Sequence, residues 1–257
     1  MVVDIPHISI FPSVQAFEIA AANWIAGKMT AAIQERGGCL LALSGGNTPR
    51  GVYHRLAELI VSGLMEQSRV HLIFSDERMV PSNDPKSNYG MIQEEFISHI
   101  PASSLHVHRI KGEKKPELAA VEYNRELEAL LPPFGGRCDL VLLGVGEDGH
   151  TASLFPGTDI LLEREKLARE VFVPRLDRWR VSLTLPIFNN ARAVLFLATG
   201  KAKAGIVVQA CSNMASRVDL PASLVRPDPG TLTWMLDAEA ASKLTSEKSS
   251  KVDTDLP

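Results

Sequence analysis

The chain has little of what marks a secreted, membrane or disulfide-stabilised protein. Its 257 residues include three cysteines, Cys39, Cys138 and Cys211, which are far apart in the sequence and form no CxxC pair. An odd number of isolated cysteines predicts buried thiols in a reducing compartment rather than a disulfide framework. No run of about 18 apolar residues occurs, so no membrane-spanning segment is expected.

An excess of charge of one sign is also missing. Lys and Arg total 27 against 30 Asp and Glu, so the formal net charge is −3. This balance gives no reason to expect nucleic acid or an anionic membrane as a partner. The N-terminal stretch MVVDIPHISIFPS has no basic segment followed by an apolar one, so no signal peptide is expected and the cytoplasm is the expected location. Monomer and homodimer remain open.

Common motifs for nucleotides, covalent catalysis and metals are absent as well. The glycine-containing segment LALSGGNTPRGVYHRL (41–56) is neither a Walker A loop nor a GxGxxG fingerprint. Ala42 stands where the nucleophile elbow G-x-S-x-G needs its first glycine, which argues against Ser44 as a nucleophile. His106 and His108 fall on one side of a predicted strand, but no third ligand accompanies them, so an ordinary histidine pair is favoured over a metal site. No cofactor is predicted.

The sequence does contain a regular alternation of apolar strands and helices. With 45% hydrophobic and 22% charged residues, the composition is that of a globular protein with a sizeable core. Continuous apolar runs predict strands at 39–44, 70–77, 138–145, 192–199 and 231–237, with a shorter one at 105–110. Helical spacing predicts helices at 14–38, 89–100, 115–131, 201–213 and 238–244, and one more within 45–63. Segments 170–176 and 180–191 are expected to be mixed strand and turn.

This alternation predicts an α/β fold: a mostly parallel, open, Rossmann-like sheet with helices on both faces. No linker or repeat divides the chain, so residues 1–244 are expected to form a single domain. Residues 245–257 are polar and unpatterned, which predicts a disordered tail. Ligands in such sheets bind beyond the carboxyl ends of the strands. Four segments follow predicted strand ends, namely SGGNTP, SDERMVP, GEDGHTAS and TGKAK.

The first of these segments has the features of an anion cradle. Gly45 and Gly46 allow a tight turn with exposed N–H groups, Thr48 is placed to cap the following helix, and Pro49 suits its first turn. A glycine turn at a helix N-terminus commonly binds phosphate. The competing interpretation is an ordinary, well-capped strand-to-helix turn, and the loop alone does not separate the two.

Two other segments supply cations. Arg78 follows a predicted strand and can hold an anion or a developing oxyanion through its planar guanidinium, although a surface ion pair with the two preceding acids is the alternative. Lys201 and Lys203 lie at a strand-to-helix turn, where a lysine can bind phosphate. One of the two is expected only to begin a solvated helix. Arg180 is a weaker basic candidate.

The GEDGHTAS segment places an acid and an imidazole together at a strand end. His150 is the type of side chain best suited to general base catalysis near neutral pH, and Asp148 can orient it or position a water. The alternative is that Asp148 caps a helix beginning near Thr151 while His150 packs. The glycines, the acid and the strand end together favour catalysis. The residues thus predict an enzyme that acts on a phosphorylated small molecule, either by water-mediated hydrolysis or by proton transfer.

Taken together, these motifs resemble those of the 6-phosphogluconolactonase family over about residues 10–242. The matching blocks are LALSGGNTPRGVY, FSDERMVPSNDPKSNYGM and, most specific, LLGVGEDGHTASLFPGT. Glucosamine-6-phosphate deaminases are related in fold, but their D-G-H turn continues into I-A-F-N-E-P, and they typically carry Tyr at the position of Arg78. Two departures from the family pattern are Asn47, where Ser or Thr is usual, and Glu147, where Pro is common.

The resemblance implies hydrolysis of 6-phospho-D-glucono-1,5-lactone, the second step of the oxidative pentose phosphate pathway. It implies that His150 activates the water, that Asp148 supports the imidazole or the water, and that Arg78 steadies the lactone end and the oxyanion. The implied phosphate ligands are Ser44, Gly45, Gly46, Asn47, Thr48 and Lys203, with Arg180 as a further candidate. A deaminase or isomerase of amino-sugar phosphates and a non-catalytic sugar-phosphate-binding protein are the alternatives.

Overall fold

A seven-stranded sheet forms the centre of the protein. The structure is a computed structural model and describes residues 6–101, 105–211 and 219–244. Its strands are β1 His7–Phe11, β2 Cys39–Leu43, β3 Val70–Phe74, β4 Asp76–Arg78, β5 His106–His108, β6 Leu140–Leu143, β7 Ala168–Val173, β8 Arg178–Leu183, β9 Ala193–Ala198 and β10 Thr231–Asp237. The large sheet has the order β1-β10-β9-β6-β2-β3-β5, and all its neighbouring strands are parallel.

Helices connect these strands and have recognisable ends. They are α1 Val14–Arg36, α2 Pro49–Val61, α3 Asn88–Glu95, α4 Pro116–Leu130, α5 Leu185–Asn189 and α6 Ala204–Cys211. Helix α1 begins after Ser13, whose hydroxyl accepts the N–H of Ala16 at 3.2 Å, and ends at Gly37, whose φ of 77° favours glycine. Among the described residues, no helix combines the length and apolar character needed to cross a membrane.

The middle of the large sheet is buried on both faces. Every residue of β2, β6 and β9 is buried. Because successive strand residues point to opposite faces, complete burial means that both faces are covered. Parallel strands that are covered on both sides read as continuous apolar runs, which is why the sequence indicated them. The predicted mostly parallel α/β fold is confirmed.

The chain reverses its course across the sheet between β2 and β6. From β2 it runs outward through β3 to β5 at one edge. It then returns to place β6 on the other side of β2, followed by β9 and β10. At such a switch point the loops that leave the two adjacent strands diverge, and a ligand-binding crevice opens between them.

A second sheet of three antiparallel strands has the order β4-β8-β7. The single predicted strand 70–77 is therefore wrong, because the chain changes sheets at Ser75. The N–H of Ser75 donates to the carbonyl of Leu43 at 2.7 Å, while its own carbonyl accepts the N–H of Leu183 at 2.8 Å. This change of partner places Arg78 directly opposite Arg180.

Other segments also differ from their predictions. Segment 238–244 forms turns instead of a helix, because the carboxylate of Asp237 accepts the N–H of Ala240 at 2.8 Å and bends the chain. Strand β1 was not predicted. The predicted helix 201–213 begins with a 3₁₀ turn, Lys201–Lys203, before α6. The single domain over 1–244 stays a prediction, and the predicted tail 245–257 lies outside the described residues.

Candidate active site

A cavity of about 290 Å³ lies beyond the carboxyl ends of β2 and β6. All four segments that follow predicted strand ends contribute to its wall. Of the predicted site residues, those that line it are Ser44, Gly45, Gly46, Asn47, Thr48, Arg78, His150, Arg180 and Lys203. The remaining one, Asp148, is hydrogen-bonded to His150. The switch point of the sheet thus brings together residues from distant parts of the sequence.

The loop between β2 and α2 offers free N–H groups to this cavity. Gly46 has a φ of 104°, and a Cβ on Gly45 would overlap the side chain of Asn88, so both positions require glycine. Among the described residues, no acceptor takes the N–H groups of Gly45, Gly46 or Asn47. Helix α2 begins directly afterwards at Pro49, and its N-terminal end carries a partial positive charge. The loop is therefore suited to bind an anion.

Ser44 and Thr48 are committed to contacts inside the protein. The hydroxyl of Ser44 donates to the carbonyl of Leu142 at 2.7 Å, and its N–H donates to the hydroxyl of Tyr53 at 3.0 Å. The predicted capping role of Thr48 is wrong, since its side chain makes no cap hydrogen bond to α2. Its hydroxyl instead lies 3.1 Å from that of Thr199, which ties this loop to the turn after β9.

The turn after β9 brings Lys203 to the cavity. Gly200 has a φ of 88°, and its N–H donates to both carboxylate oxygens of Asp237, at 3.0 and 3.1 Å. The N–H of Lys203 then donates to the carbonyl of Gly200 at 3.0 Å. Lys203 is partly buried and lines the cavity, whereas Lys201 is exposed. The structure thus separates the two lysines that the sequence left as alternatives.

His150 and Asp148 form a hydrogen-bonded pair on the turn after β6. Nδ1 of His150 lies 2.5 Å from Oδ1 of Asp148, and Oδ2 of Asp148 lies 2.7 Å from Nη2 of Arg175. When Nδ1 donates to the carboxylate, the lone pair on Nε2 of the neutral imidazole is left free to act as a base. The alternative helix beginning near Thr151 is wrong, since residues 151–154 form a turn.

The surroundings of this pair favour a neutral imidazole beside an ionised carboxylate. Burial lowers the pKa of His150 below its ordinary value, and the Asp148 carboxylate only partly offsets this effect. Burial by itself would raise the pKa of Asp148. The hydrogen bond from His150 and the charge of Arg175 outweigh burial, so the pKa of Asp148 is lowered. This combination is the protonation state that a general base needs near neutral pH.

Close packing holds the imidazole in place. The buried ring of Phe155 stacks on that of His150, with centroids 4.1 Å apart and 19° between the planes. The N–H of Gly146 donates to the carbonyl of His150 at 2.8 Å. A Cβ on Gly146 would overlap Nδ1 of His150 and come within 2.6 Å of Oδ1 of Asp148. Only glycine at this position leaves room for the pair.

Two arginines of the small sheet lie next to each other on the cavity wall. Arg78 and Arg180 are directly paired between β4 and β8. Arg180 Nη1 lies 3.6 Å from Oδ2 of Asp76 and 3.4 Å from the hydroxyl of Ser153, while Arg78 donates to the carbonyl of Lys86 at 2.6 Å. Among the described residues, neither buried Nε atom has a partner. The pair concentrates positive charge where an anion or oxyanion can be bound.

Sequence reasoning missed the buried acids that support these arginines. The sequence left open a surface ion pair between Arg78 and the two acids that precede it. This alternative is wrong, because Asp76 and Glu77 are both buried. Glu77 accepts hydrogen bonds from the N–H groups of Arg78, Asn88 and Tyr89 and from the hydroxyl of Ser87. It therefore caps the start of α3 from β4, the strand that precedes this helix in the chain. The Ser-Asn pair that opens α3 is the sequence feature that could have indicated this contact.

His106 and His108 belong to a different group, at the edge strand β5. The ring of His106 stacks on that of His71 with centroids 4.3 Å apart. His108 Nε2 lies 3.1 Å from His71 Nδ1, and His108 Nδ1 lies 2.7 Å from Oε1 of Glu126. Among the described residues, no three His, Cys, Asp or Glu side chains are arranged to hold a metal ion.

The chain is similar to known proteins over most of its length. A family model described as glucosamine-6-phosphate isomerases/6-phosphogluconolactonase matches residues 12–234. The 6-phosphogluconolactonase of Homo sapiens is 37% identical over 246 residues, which cover 93% of each chain. That of Haemophilus influenzae is 34% identical over 200 residues, covering 78% of this chain and 85% of the relative.

Solved structures agree with these relatives. The structure of 6-phosphogluconolactonase from Trypanosoma brucei superposes with a TM-score of 0.81 at 30% identity, covering 93% of this chain and 99% of that one. A monomeric glucosamine-6-phosphate deaminase, 22% identical, shares the fold with a TM-score of 0.76 and covers 92% of this chain and 99% of its own. The resemblance indicated by the sequence motifs is thus confirmed, and the chain belongs to the glucosamine-6-phosphate isomerase/6-phosphogluconolactonase family.

Proposed function

We propose that the protein hydrolyses 6-phospho-D-glucono-1,5-lactone to 6-phosphogluconate. The observation that carries this proposal is a single cavity that contains His150 paired with Asp148, an N–H cradle and three cationic side chains. Burial lowers the pKa of His150, which suits it to act as a base. The relatives that are more than 30% identical and named 6-phosphogluconolactonase support the same activity.

The 6-phosphate of the substrate would bind at the loop after β2. The unpaired N–H groups of Gly45, Gly46 and Asn47 provide donors, and Lys203 provides a positive charge from the neighbouring turn. The donors of Ser44 are used within the protein, so Ser44 would shape the cradle rather than donate to the phosphate. Thr48 would likewise act by holding the two loops together.

The lactone end of the substrate would lie beside His150. Nε2 would take a proton from a water molecule as its oxygen attacks the lactone carbonyl carbon, forming a tetrahedral oxyanion. The imidazolium would then give this proton to the ring oxygen as its bond to the carbonyl carbon breaks, leaving a carboxylic acid that ionises. A positioned base contributes about 10²–10⁴-fold, which is substantial for an activated ester such as a lactone.

Arg78 and Arg180 would stabilise the oxyanion together. The sequence suggested Arg180 as a candidate phosphate ligand. In the structure Arg180 lies beside Arg78, because the two residues are directly paired between β4 and β8. Its guanidinium carbon also lies 5.3 Å from the centre of the Phe155 ring, which stacks on His150. These contacts support a place at the reacting end of the cavity, where charge develops in the transition state.

The proposal is tested by measuring hydrolysis of freshly generated 6-phosphogluconolactone against its spontaneous rate. Unphosphorylated glucono-1,5-lactone is the control for the phosphate cradle. We expect rapid hydrolysis of the phosphorylated lactone and little acceleration of the other. A rate equal to the spontaneous one would refute the proposal. Ammonia release from glucosamine 6-phosphate would then indicate a deaminase, and binding without turnover would indicate a sugar-phosphate-binding protein.

A further inference from the structure

An arginine on the turn between β7 and β8 contacts the His150–Asp148 pair. Arg175 lies in the 3₁₀ turn Pro174–Leu176, and its Nη2 lies 2.7 Å from Oδ2 of Asp148. The other oxygen, Oδ1, is 2.5 Å from Nδ1 of His150. Each carboxylate oxygen therefore has its own partner, one on the same turn and one on the second sheet.

The guanidinium of Arg175 is also held against the ring that supports His150. Its central carbon lies 5.0 Å from the centroid of Phe155, within the range of a cation–π contact. Phe155 in turn stacks on His150. Arg175 is not among the described residues that line the cavity. Its contacts with Asp148 and Phe155 are therefore the route by which it can act on His150.

Within its own turn the carboxylate of Asp148 is held at one oxygen, since Oδ1 accepts the N–H of His150 at 3.3 Å and lies 2.5 Å from its Nδ1. With partners on this oxygen alone, the aspartate can rotate about its terminal bond and move Oδ1 away from Nδ1 of His150. The imidazole would then lose the partner that fixes its tautomer and direction, and such orientation is a large part of what a carboxylate supplies to a catalytic histidine. An arginine on the unused oxygen blocks this rotation.

We propose that Arg175 is a positioning residue that fixes the Asp148 carboxylate so that the imidazole of His150 keeps its direction and tautomer for catalysis. Because Arg175 lies on the β7–β8 hairpin, the pair is complete only when that hairpin is in place. The catalytic part of this inference rests on the function proposed above, whereas the geometric part concerns the free protein.

The charged groups around His150 give the inference a measurable consequence. Acids face it from two elements, Asp148 on its own turn and Asp76 on β4, and both raise its pKa. Burial, the largest cause, and the charge of Arg175 lower it. The other cations of the cavity are Arg78, Arg180 and Lys203. Loss of the Arg175 charge alone would raise the pKa of His150, but Asp148 raises this pKa more strongly than Arg175 lowers it. If Arg175 holds the Asp148 carboxylate in place, its removal should therefore lower the pKa of His150 and move the acidic limb of the activity profile to lower pH.

The test compares Arg175→Gln with Arg178→Gln. Arg178 is an exposed arginine near the same turn, and its side chain contacts the carbonyl of Asp177 at 3.3 Å. For Arg175→Gln we expect kcat to fall by about 10- to 10²-fold with KM unchanged, because a misplaced catalytic group is costly while the cavity stays intact. Arg175→Lys should keep the acidic limb in place but restore only part of kcat, since lysine lacks the planar fork. Arg178→Gln should change neither quantity.

An NMR titration of the His150 ring tests the same inference without substrate. The His150 signal is assigned by its loss in His150→Ala. Its titration midpoint should fall in Arg175→Gln, because the loosened Asp148 no longer raises it, and stay unchanged in Arg178→Gln. An unchanged or raised midpoint in Arg175→Gln, or equal effects of the two variants, would overturn the inference. If the wild type fails to hydrolyse the lactone but the midpoint still falls in Arg175→Gln, the proposed function is wrong and the positioning role stands.

Discussion

Two groups of side chains contain histidine, one on the turn after β6 and one on β3 and β5, and they differ in what surrounds the imidazole. His150 follows β6 at the switch point, and His71 lies on β3 against the histidines of β5. Burial lowers the pKa of both His150 and His71. For His71 the neighbouring His106 and His108 lower the pKa further, whereas for His150 a carboxylate raises it in part.

The two groups differ in how their ring nitrogens are used and in whether the imidazole faces a cavity. Nδ1 of His71 lies within hydrogen-bonding distance of Nε2 of His108, and its ring lies against its neighbours. His150 uses Nδ1 for Asp148 and lines a cavity that also contains three cationic side chains. A lowered pKa is thus a consequence of burial in both places. A cavity, an orienting acid and nearby cations are what make one of the two groups suitable for catalysis.

The strongest test of this comparison removes one imidazole from each group. His150→Ala is expected to lower kcat/KM for the phosphorylated lactone by about 10²–10⁴-fold, the contribution of a general base. His106→Ala, at an exposed position in the other group, should leave turnover unchanged. Both rates are measured against spontaneous hydrolysis, and circular dichroism checks the fold. Comparable losses in the two variants would remove the distinction between the groups.

A methyl group added beside the His150–Asp148 pair tests its geometry without removing either residue. In Gly146→Ala the new Cβ would overlap Nδ1 of His150, so the pair must move. A displacement of about 1 Å can cost about 10²-fold, and we expect a fall of that size in kcat. The control is Gly27→Ala in α1, where a Cβ meets nothing within 4 Å. Full activity of Gly146→Ala would show that the pair tolerates displacement.

The contribution of the cavity's cations is tested at the turn after β9. Lys203→Ala should raise KM by about 10- to 10²-fold while kcat changes less, because a charge-assisted hydrogen bond to phosphate contributes about 1.5–3 kcal/mol to ground and transition states alike. Lys201→Ala is the matched control, since Lys201 is exposed in the same turn. Steady-state kinetics give both constants. A KM that rises only in Lys201→Ala would reverse the assignment of the two lysines.

The smallest effect is expected at His71 and concerns stability instead of activity. Burial and the neighbouring histidines lower its pKa from 6.5 to about 4, so between these values the unfolded chain binds a proton more readily than the folded one. The free energy of unfolding should therefore decrease as the pH falls through this window and level off below it. His71→Phe should reduce that decrease by about 1 kcal/mol, since the ring is only partly buried.

Urea denaturation of the wild type and His71→Phe at pH 7 and pH 4.5 measures this difference. Turnover at pH 7 should be the same in both proteins. Equal losses of stability on acidification would show that the pKa of His71 is the same in the folded and unfolded states. A lowered pKa would then no longer be a property that His71 shares with His150.

Much of the fold and part of the site follow from local sequence patterns. Continuous apolar runs indicate β2, β6 and β9 because parallel strands are covered on both faces. The end of α1 at Gly37 follows from the left-handed conformation that glycine permits. The proximity of Asp148 to His150 is also local, since the two are only two residues apart.

What the tertiary structure alone decided is which distant residues meet. The change of sheet at Ser75 places Arg78 opposite Arg180, and no periodicity in the sequence signals that pairing. The contact of Arg175 with Asp148 joins the second sheet to a turn of the first. Sequence patterns report helices, strands and turns because these depend on neighbours in the chain. The surroundings of the His150–Asp148 pair depend on strand order and register, which only the folded chain determines.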